Sequence, residues 1–87
     1  MPINVKFSQH SLIKIDLLKA YGVNISKEIV VDIIKFPDKI ETGYKNRLIA
    51  QKKIDDEHVL RVVYEKQEDE ILIITAYPGR RSRYEKD

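Results

Sequence analysis

Arg47-Leu48-Ile49-Ala50-Gln51-Lys52-Lys53-Ile54, then Asp55-Asp56-Glu57, then His58-Val59-Leu60-Arg61-Val62-Val63-Tyr64-Glu65, and after a second polar break Ile71-Leu72-Ile73-Ile74-Thr75-Ala76-Tyr77 make up most of residues 44–77. Three apolar runs are separated by short acidic segments. β-Branched and aromatic side chains suit a pleated sheet, and clustered Asp, Glu and Gln suit its turns, so the stretch reads as an antiparallel meander. A hairpin closing over Asp55-Asp56-Glu57 sets Ile54 opposite His58, Gln51 opposite Arg61 and Arg47 opposite Glu65. Cross-strand partners share a face. One face then carries Leu48, Ala50, Lys52, Ile54, Leu60, Val62 and Tyr64, the better surface to pack against helices. The other carries Arg47, Ile49, Gln51, Lys53, Val59, Arg61 and Val63. A slip of one residue would exchange the two sets. The run 71–76 is apolar on both faces, as a central strand covered above and below requires, and Pro78-Gly79 stops it.

Everything upstream must cover this sheet. Ile3, Val5 and Phe7 alternate with Asn4 and Lys6, the period of a short strand. Residues 9–21 fit a helix better than a strand: Ser8 suits its N-cap, Leu and Lys favour it, and Gly22 follows where a left-handed C-cap belongs. Its apolar residues spread around the helix, which implies deep burial or a second interface. Ser26 is the next N-cap, and Ile29, Val30, Ile33 and Ile34 form one apolar stripe until Pro37 ends the helix. Two adjacent helices raise a helix-turn-helix, but the second presents Ile and Val where a recognition helix needs polar groups for the bases. Residues 38–46 read as a loop.

Eighty-seven residues make one domain, 1–87, with a modest core. There is no cysteine, hence no disulfide and no Cys-based zinc site. The N-terminus lacks a signal-peptide pattern and no run reaches a membrane span, so the expectation is a soluble cytoplasmic protein without membrane contact. A net charge of +2 does not itself imply nucleic-acid binding. The charge is concentrated in the tail, where Arg80, Arg81 and Arg83 precede Tyr84.

Arg61 sits inside an apolar strand, where an unpaired cation is costly. It either pairs with Glu65, Glu70 or Asp16, or it holds an anion such as phosphate through its planar fork. The tail offers the same choice between a solvated basic end and a surface that neutralises phosphate and stacks a base, as single-stranded RNA requires. Tyr77 reads as core or hinge. His10, on the first helical turn, is either a hydrogen-bonded structural residue or an acid–base group, and His58 borders a turn and is solvated. No metal-spaced set, P-loop, nucleophile elbow or dinucleotide fingerprint is present, so neither metal nor cofactor is expected. Arg, Lys, His and Tyr remain, a set able to cleave RNA through its own 2′-hydroxyl.

Phe7-Ser8-Gln9-His10, Tyr21-Gly22-Val23, Ile25-Ser26-Lys27-Glu28, Phe36-Pro37-Asp38, Arg61-Val62-Val63-Tyr64, Ile73-Ile74-Thr75-Ala76-Tyr77-Pro78 and the Arg-rich end, in this order, resemble a small uncharacterised prokaryotic family, a domain of unknown function placed near the RelE/ParE and BrnT toxins. The resemblance implies a RelE-like α+β fold in the order β-α-α-β-β-β, two N-terminal helices packed on a curved antiparallel sheet. It also implies a type II toxin, held by a cognate antitoxin, that cleaves messenger RNA, mostly on the ribosome, without a metal. Arg61 matches a sheet arginine of such toxins, and Arg81 or Arg83 with Tyr84 match their C-terminal end. Lys52 and Lys53 match the lysine such sites use, and only Lys53 shares a face with Arg61. A complete RelE catalytic set does not align.

The expected catalytic residues are therefore Arg61, Lys53, His10 and Tyr84, with Arg47, Arg80, Arg81 and Arg83 binding RNA. The alternatives are a non-enzymatic module gripping RNA or a protein partner, and a gyrase-type inhibitor.

Overall fold

Gln51 pairs with Arg61 across a hairpin whose register runs from Leu48 opposite Tyr64 to Lys53 opposite Val59, as the sequence implies. In the computed structural model, which describes residues 4–85, this hairpin is the middle of a five-stranded sheet. The strands are β1 (Asn4–Phe7), β2 (Lys39–Thr42), β3 (Leu48–Lys53), β4 (His58–Lys66) and β5 (Glu70–Arg80). Between β1 and β2 lie the helices α1 (Gln9–Ala20) and α2 (Lys27–Lys35), and α3 (Arg81–Tyr84) follows β5. The spatial order is β1-β5-β4-β3-β2.

The protein is α+β, but three features differ from the β-α-α-β-β-β arrangement of two N-terminal helices on an antiparallel sheet. β1 runs parallel to β5, so the sheet is mixed. Residues 39–42, expected in a loop, form the edge strand β2 against β3. A third helix closes the chain, so the helices sit among and after the strands. β5 lies inside the sheet as expected, but Pro78-Gly79 does not stop it: the strand runs on to Arg80, with Pro78 opposite Leu60 and Gly79 opposite Val59. It carries an irregularity between Val63 and Tyr64 of its partner: Val63 faces Thr75 while Tyr64 faces Ile73, leaving Ile74 as the extra residue.

Ser8 anchors the first helix to that irregularity. Its hydroxyl oxygen accepts the Ser11 amide at 3.0 Å as an N-cap and donates to the Ile74 carbonyl at 3.0 Å. Gly22, at φ 88°, ends α1 with its own amide on the Lys19 carbonyl and the Val23 amide on that of Leu18, the double closure of a Schellman motif. Ser26 caps α2 through the Ile29 amide. α1 contributes Ile15 and Leu18, and α2 contributes Val30 and Ile33, to one core with Ala50, Leu60, Val62, Tyr64, Ile71, Ile73 and Ala76. Of these, Ala50, Leu60, Val62 and Tyr64 belong to the face assigned to helix packing. The outer side of α1 leaves Ile13, Leu17 and Tyr21 exposed, so this helix buries one side only.

Candidate functional site

The opposite face of the sheet carries the polar chemistry. Strand pairing lines up Lys39 of β2, Gln51 of β3, Arg61 of β4 and Tyr77 of β5 in one row across four strands. The period of two that sends Leu60 and Val62 to the helices sends Arg61 to this side. Arg61 is only 4% exposed, and each guanidinium nitrogen has a partner. Nε donates to the Tyr77 hydroxyl at 3.0 Å, Nη1 donates to Gln51 Oε1, and Nη2 donates to Glu41 Oε1 at 3.0 Å. Glu41, two residues along β2 from Lys39, also lies 3.5 Å from the Lys39 ammonium.

The carboxylate that neutralises Arg61 is thus Glu41, and not Glu65, Glu70 or Asp16. Glu65 pairs with Arg47 at 3.1 Å and Glu70 with Lys6 at 3.4 Å. The hydrogen bond from Arg61 holds the Glu41 carboxyl below its ordinary value against the opposing effect of partial burial. For Arg61, burial alone would lower the pKa; its bonds to Glu41 and Tyr77 outweigh that and raise it. Arg61 stays a cation.

Tyr84 lies over this row. Its ring centroid is 4.3 Å from the Arg61 guanidinium carbon and 5.4 Å from that of Arg83, within cation–π range. Its carbonyl accepts from Lys39 Nζ at 2.7 Å and from Gln51 Nε2 at 3.3 Å. Arg81 ties the short helix to the β3–β4 turn. Its amide donates to the Glu57 carbonyl and its Nη1 to that of Asp56, while Nε meets Glu85 at 2.6 Å.

Of the residues expected to be catalytic, the fold brings Arg61 and Tyr84 into contact. Lys53 is exposed on the same face, diagonal to Arg61, with its backbone amide held by Asp38 at 2.9 Å. His10 is exposed on the first turn of α1, on the other side of the sheet. Of the expected RNA contacts, Arg83 is exposed beside the row, Arg80 is exposed at the end of β5 opposite His58, which shares its face with Leu60 and not with Arg61, Arg81 is engaged in anchoring α3, and Arg47 pairs with Glu65 at the far end of β3. Lys39, Glu41, Gln51 and Tyr77 were not foreseen as site residues. The pairing of Gln51 with Arg61 was the available signal for one of them, since a glutamine opposite a buried arginine supplies an acceptor.

Among the described residues no cluster of His, Asp and Glu could hold a metal ion, and no helix is long and apolar enough to cross a membrane. Every buried side-chain nitrogen and oxygen among them has a hydrogen-bond partner. The family model described as domain of unknown function DUF4258 matches residues 21–78, and the chain belongs to that family. No curated protein and no solved structure matches the chain.

Proposed function

We propose that this member of the DUF4258 family acts on single-stranded RNA as a metal-independent, toxin-like endoribonuclease restrained by a partner antitoxin. The observation that carries the reading is the concentration of Lys39, Arg61, Tyr77 and Tyr84 in one patch, with Lys53 and Arg83 exposed around it. Cations that neutralise phosphate, set beside aromatic rings, suit single-stranded RNA more than duplex. The likeness to RelE-type toxins noted from the sequence agrees with that chemistry.

In this reading the substrate's 2′-oxygen forms a bond to the adjacent phosphorus and the bond to the 5′-oxygen breaks. The products are a 2′,3′-cyclic phosphate and a 5′-hydroxyl. The proton of the 2′-hydroxyl leaves as the nucleophile forms, and one returns to the 5′-oxygen. Arg61 and Lys39 stabilise the doubly charged phosphorane. Lys53 is the exposed proton-transfer group on this face; His10, across the sheet, has no part in it.

The test is induced expression of wild type, Lys53→Ala and Arg61→Lys, with growth and total RNA followed in the same cultures. Purified, folded protein is incubated with single-stranded RNA in excess chelator. Growth arrest and cyclic-phosphate ends from the wild type, lost in both variants, support the nuclease. Intact RNA and normal growth with soluble wild type reject it.

The complete internal pairing of Arg61 favours a second reading, a non-enzymatic module that grips RNA through its exposed cations. That module binds RNA with an affinity falling steeply as salt rises and leaves it uncut.

A further inference from the structure

Tyr84 meets the row with two different groups. Its ring covers the Arg61 guanidinium at 4.3 Å, and its carbonyl oxygen takes Lys39 Nζ at 2.7 Å and Gln51 Nε2 at 3.3 Å. An aromatic plane on a guanidinium, next to an acceptor oxygen held by an ammonium and an amide, is what a nucleotide offers through its base and its phosphate. Gly79, paired with Val59 on the same face, is shaped to this contact. A Cβ there would stand 2.3 Å from the Tyr84 ring, and the three nearest atoms all belong to that ring. The start of α3 is pinned by Arg81 to the Glu57 and Asp56 carbonyls, and Tyr84 lies at the far end of the helix from that anchor. α3 has four residues and no side-chain N-cap, and Tyr84 is itself only half-buried.

We propose that Lys39, Gln51 and Arg61 form a nucleotide subsite for single-stranded RNA, and that Tyr84 is its internal occupant, displaced when RNA enters. The inference rests on the RNA reading above and adds how the site is regulated. With Tyr84 in place Arg61 is sealed. With Tyr84 swung away, a base stacks on the guanidinium and a phosphate oxygen takes the Lys39 and Gln51 donors. Glu41 stays on Nη2 and competes with the incoming anion, which keeps the resting site close to neutral.

The experiment measures binding, not cleavage, on the full chain. Wild type, Tyr84→Phe, Tyr84→Ala and Gly79→Ala are titrated with a fluorescein-labelled oligouridylate after thermal melts confirm folding. Gly79→Ala evicts the ring without removing it, so it checks Tyr84→Ala independently; in both, the residue-84 carbonyl loses the ring contact that holds it over Lys39 and Gln51 and is left to two hydrogen bonds that a phosphate oxygen replaces. A site relieved of an internal competitor binds more tightly by the reciprocal of the fraction of molecules in which it stood open. Both Ala variants should gain about fivefold or more in affinity, Tyr84→Phe should match wild type, and Lys39→Met placed in Gly79→Ala should cancel the gain. Weaker or unchanged binding by the two Ala variants overturns the proposal and makes Tyr84 a direct RNA contact or a bystander.

If no variant binds RNA, the RNA reading itself fails, and uridine 5′-monophosphate decides the subsite. A shift of the Arg61 Nε–H signal of Gly79→Ala with the nucleotide, and none with inorganic phosphate, supports a nucleotide subsite. No shift, or equal shifts, overturns it.

Discussion

Glu41 of β2 and Arg61 of β4 form a 3.0 Å ion pair that reaches over the intervening strand β3, with Gln51 of β3 also holding the guanidinium. The Glu41 carboxyl is held below its ordinary value of 4.5, chiefly by the Arg61 hydrogen bond. A depressed folded value means that its stabilisation is fully present above the unfolded value and is lost as pH falls through the folded one. Glu41→Gln should therefore flatten the acid limb of stability. Urea midpoints taken from about pH 5 down to pH 2 in both proteins check this. Asp55, also lowered, first by the Glu57 amide, contributes equally to both curves, so their difference isolates Glu41. Parallel acid limbs would refute the assignment.

Removing the other partner costs more. Arg61→Met strands the Gln51 carbonyl and the Tyr77 hydroxyl, leaves Glu41 with Lys39 as its one charged partner among the described residues, and takes the cation from beneath Tyr84. Glu41 keeps 38% of its side-chain surface in water, so the loss falls short of that for a fully buried pair. A destabilisation of about 1–3 kcal/mol is expected, with a smaller loss for Arg61→Lys, which keeps the charge and loses the fork. Urea denaturation measures both. A Met variant as stable as wild type would mean that the row contributes nothing to the fold.

Gly22→Ala isolates backbone conformation. No atom lies within 4 Å of the added carbon, and φ is +88°, so the cost is the left-handed conformation alone, about 1–2 kcal/mol. A thermal melt showing no loss would mean that the end of α1 rearranges to another cap.

Ser8→Ala removes a cap and a tether together. The Ser11 amide loses its acceptor and the Ile74 carbonyl loses its donor. A loss of about 1–2 kcal/mol is expected, with faster hydrogen exchange in the first turn of α1. Ser26→Ala, which removes only the cap of α2, should cost less. Equal losses in the two variants would show that the Ile74 bond adds nothing.

The hairpin was legible because Asp55-Asp56-Glu57 breaks two long alternating runs at one place, and that single register fixed which residues face the helices and which face Arg61. Lys39-Ile40-Glu41-Thr42 carries one apolar residue between Pro37 and Gly43, too little to announce a strand. With β2 unseen, the true partner of Arg61 was unseen too, and Glu65 and Glu70 of the expected meander and Asp16 of the first helix were named instead. α3 has a single aromatic residue in four and no periodicity; its position comes from the Tyr84 ring meeting Arg61 and Gly79, contacts that exist only after the sheet forms. The parallel pairing of β1 was hidden for the same reason, since four residues of period two state a strand but not its neighbour. The family match over residues 21–78 covers α2, β2, β3, β4 and most of β5, the part that builds the polar row up to Tyr77.

β1 pairs with Glu70 to Ile73, and Ser8 bonds to a carbonyl 66 residues onward. The first strand therefore has no hydrogen-bonding mate until the last one has been made. Translation at roughly 5–20 residues per second leaves Asn4–Phe7 and the Ser8 tether waiting for seconds, and pairing across such a separation is entropically late. Edge closure is thus a terminal folding event. A chain arrested before β5 would keep a bare strand edge, open to association with other chains.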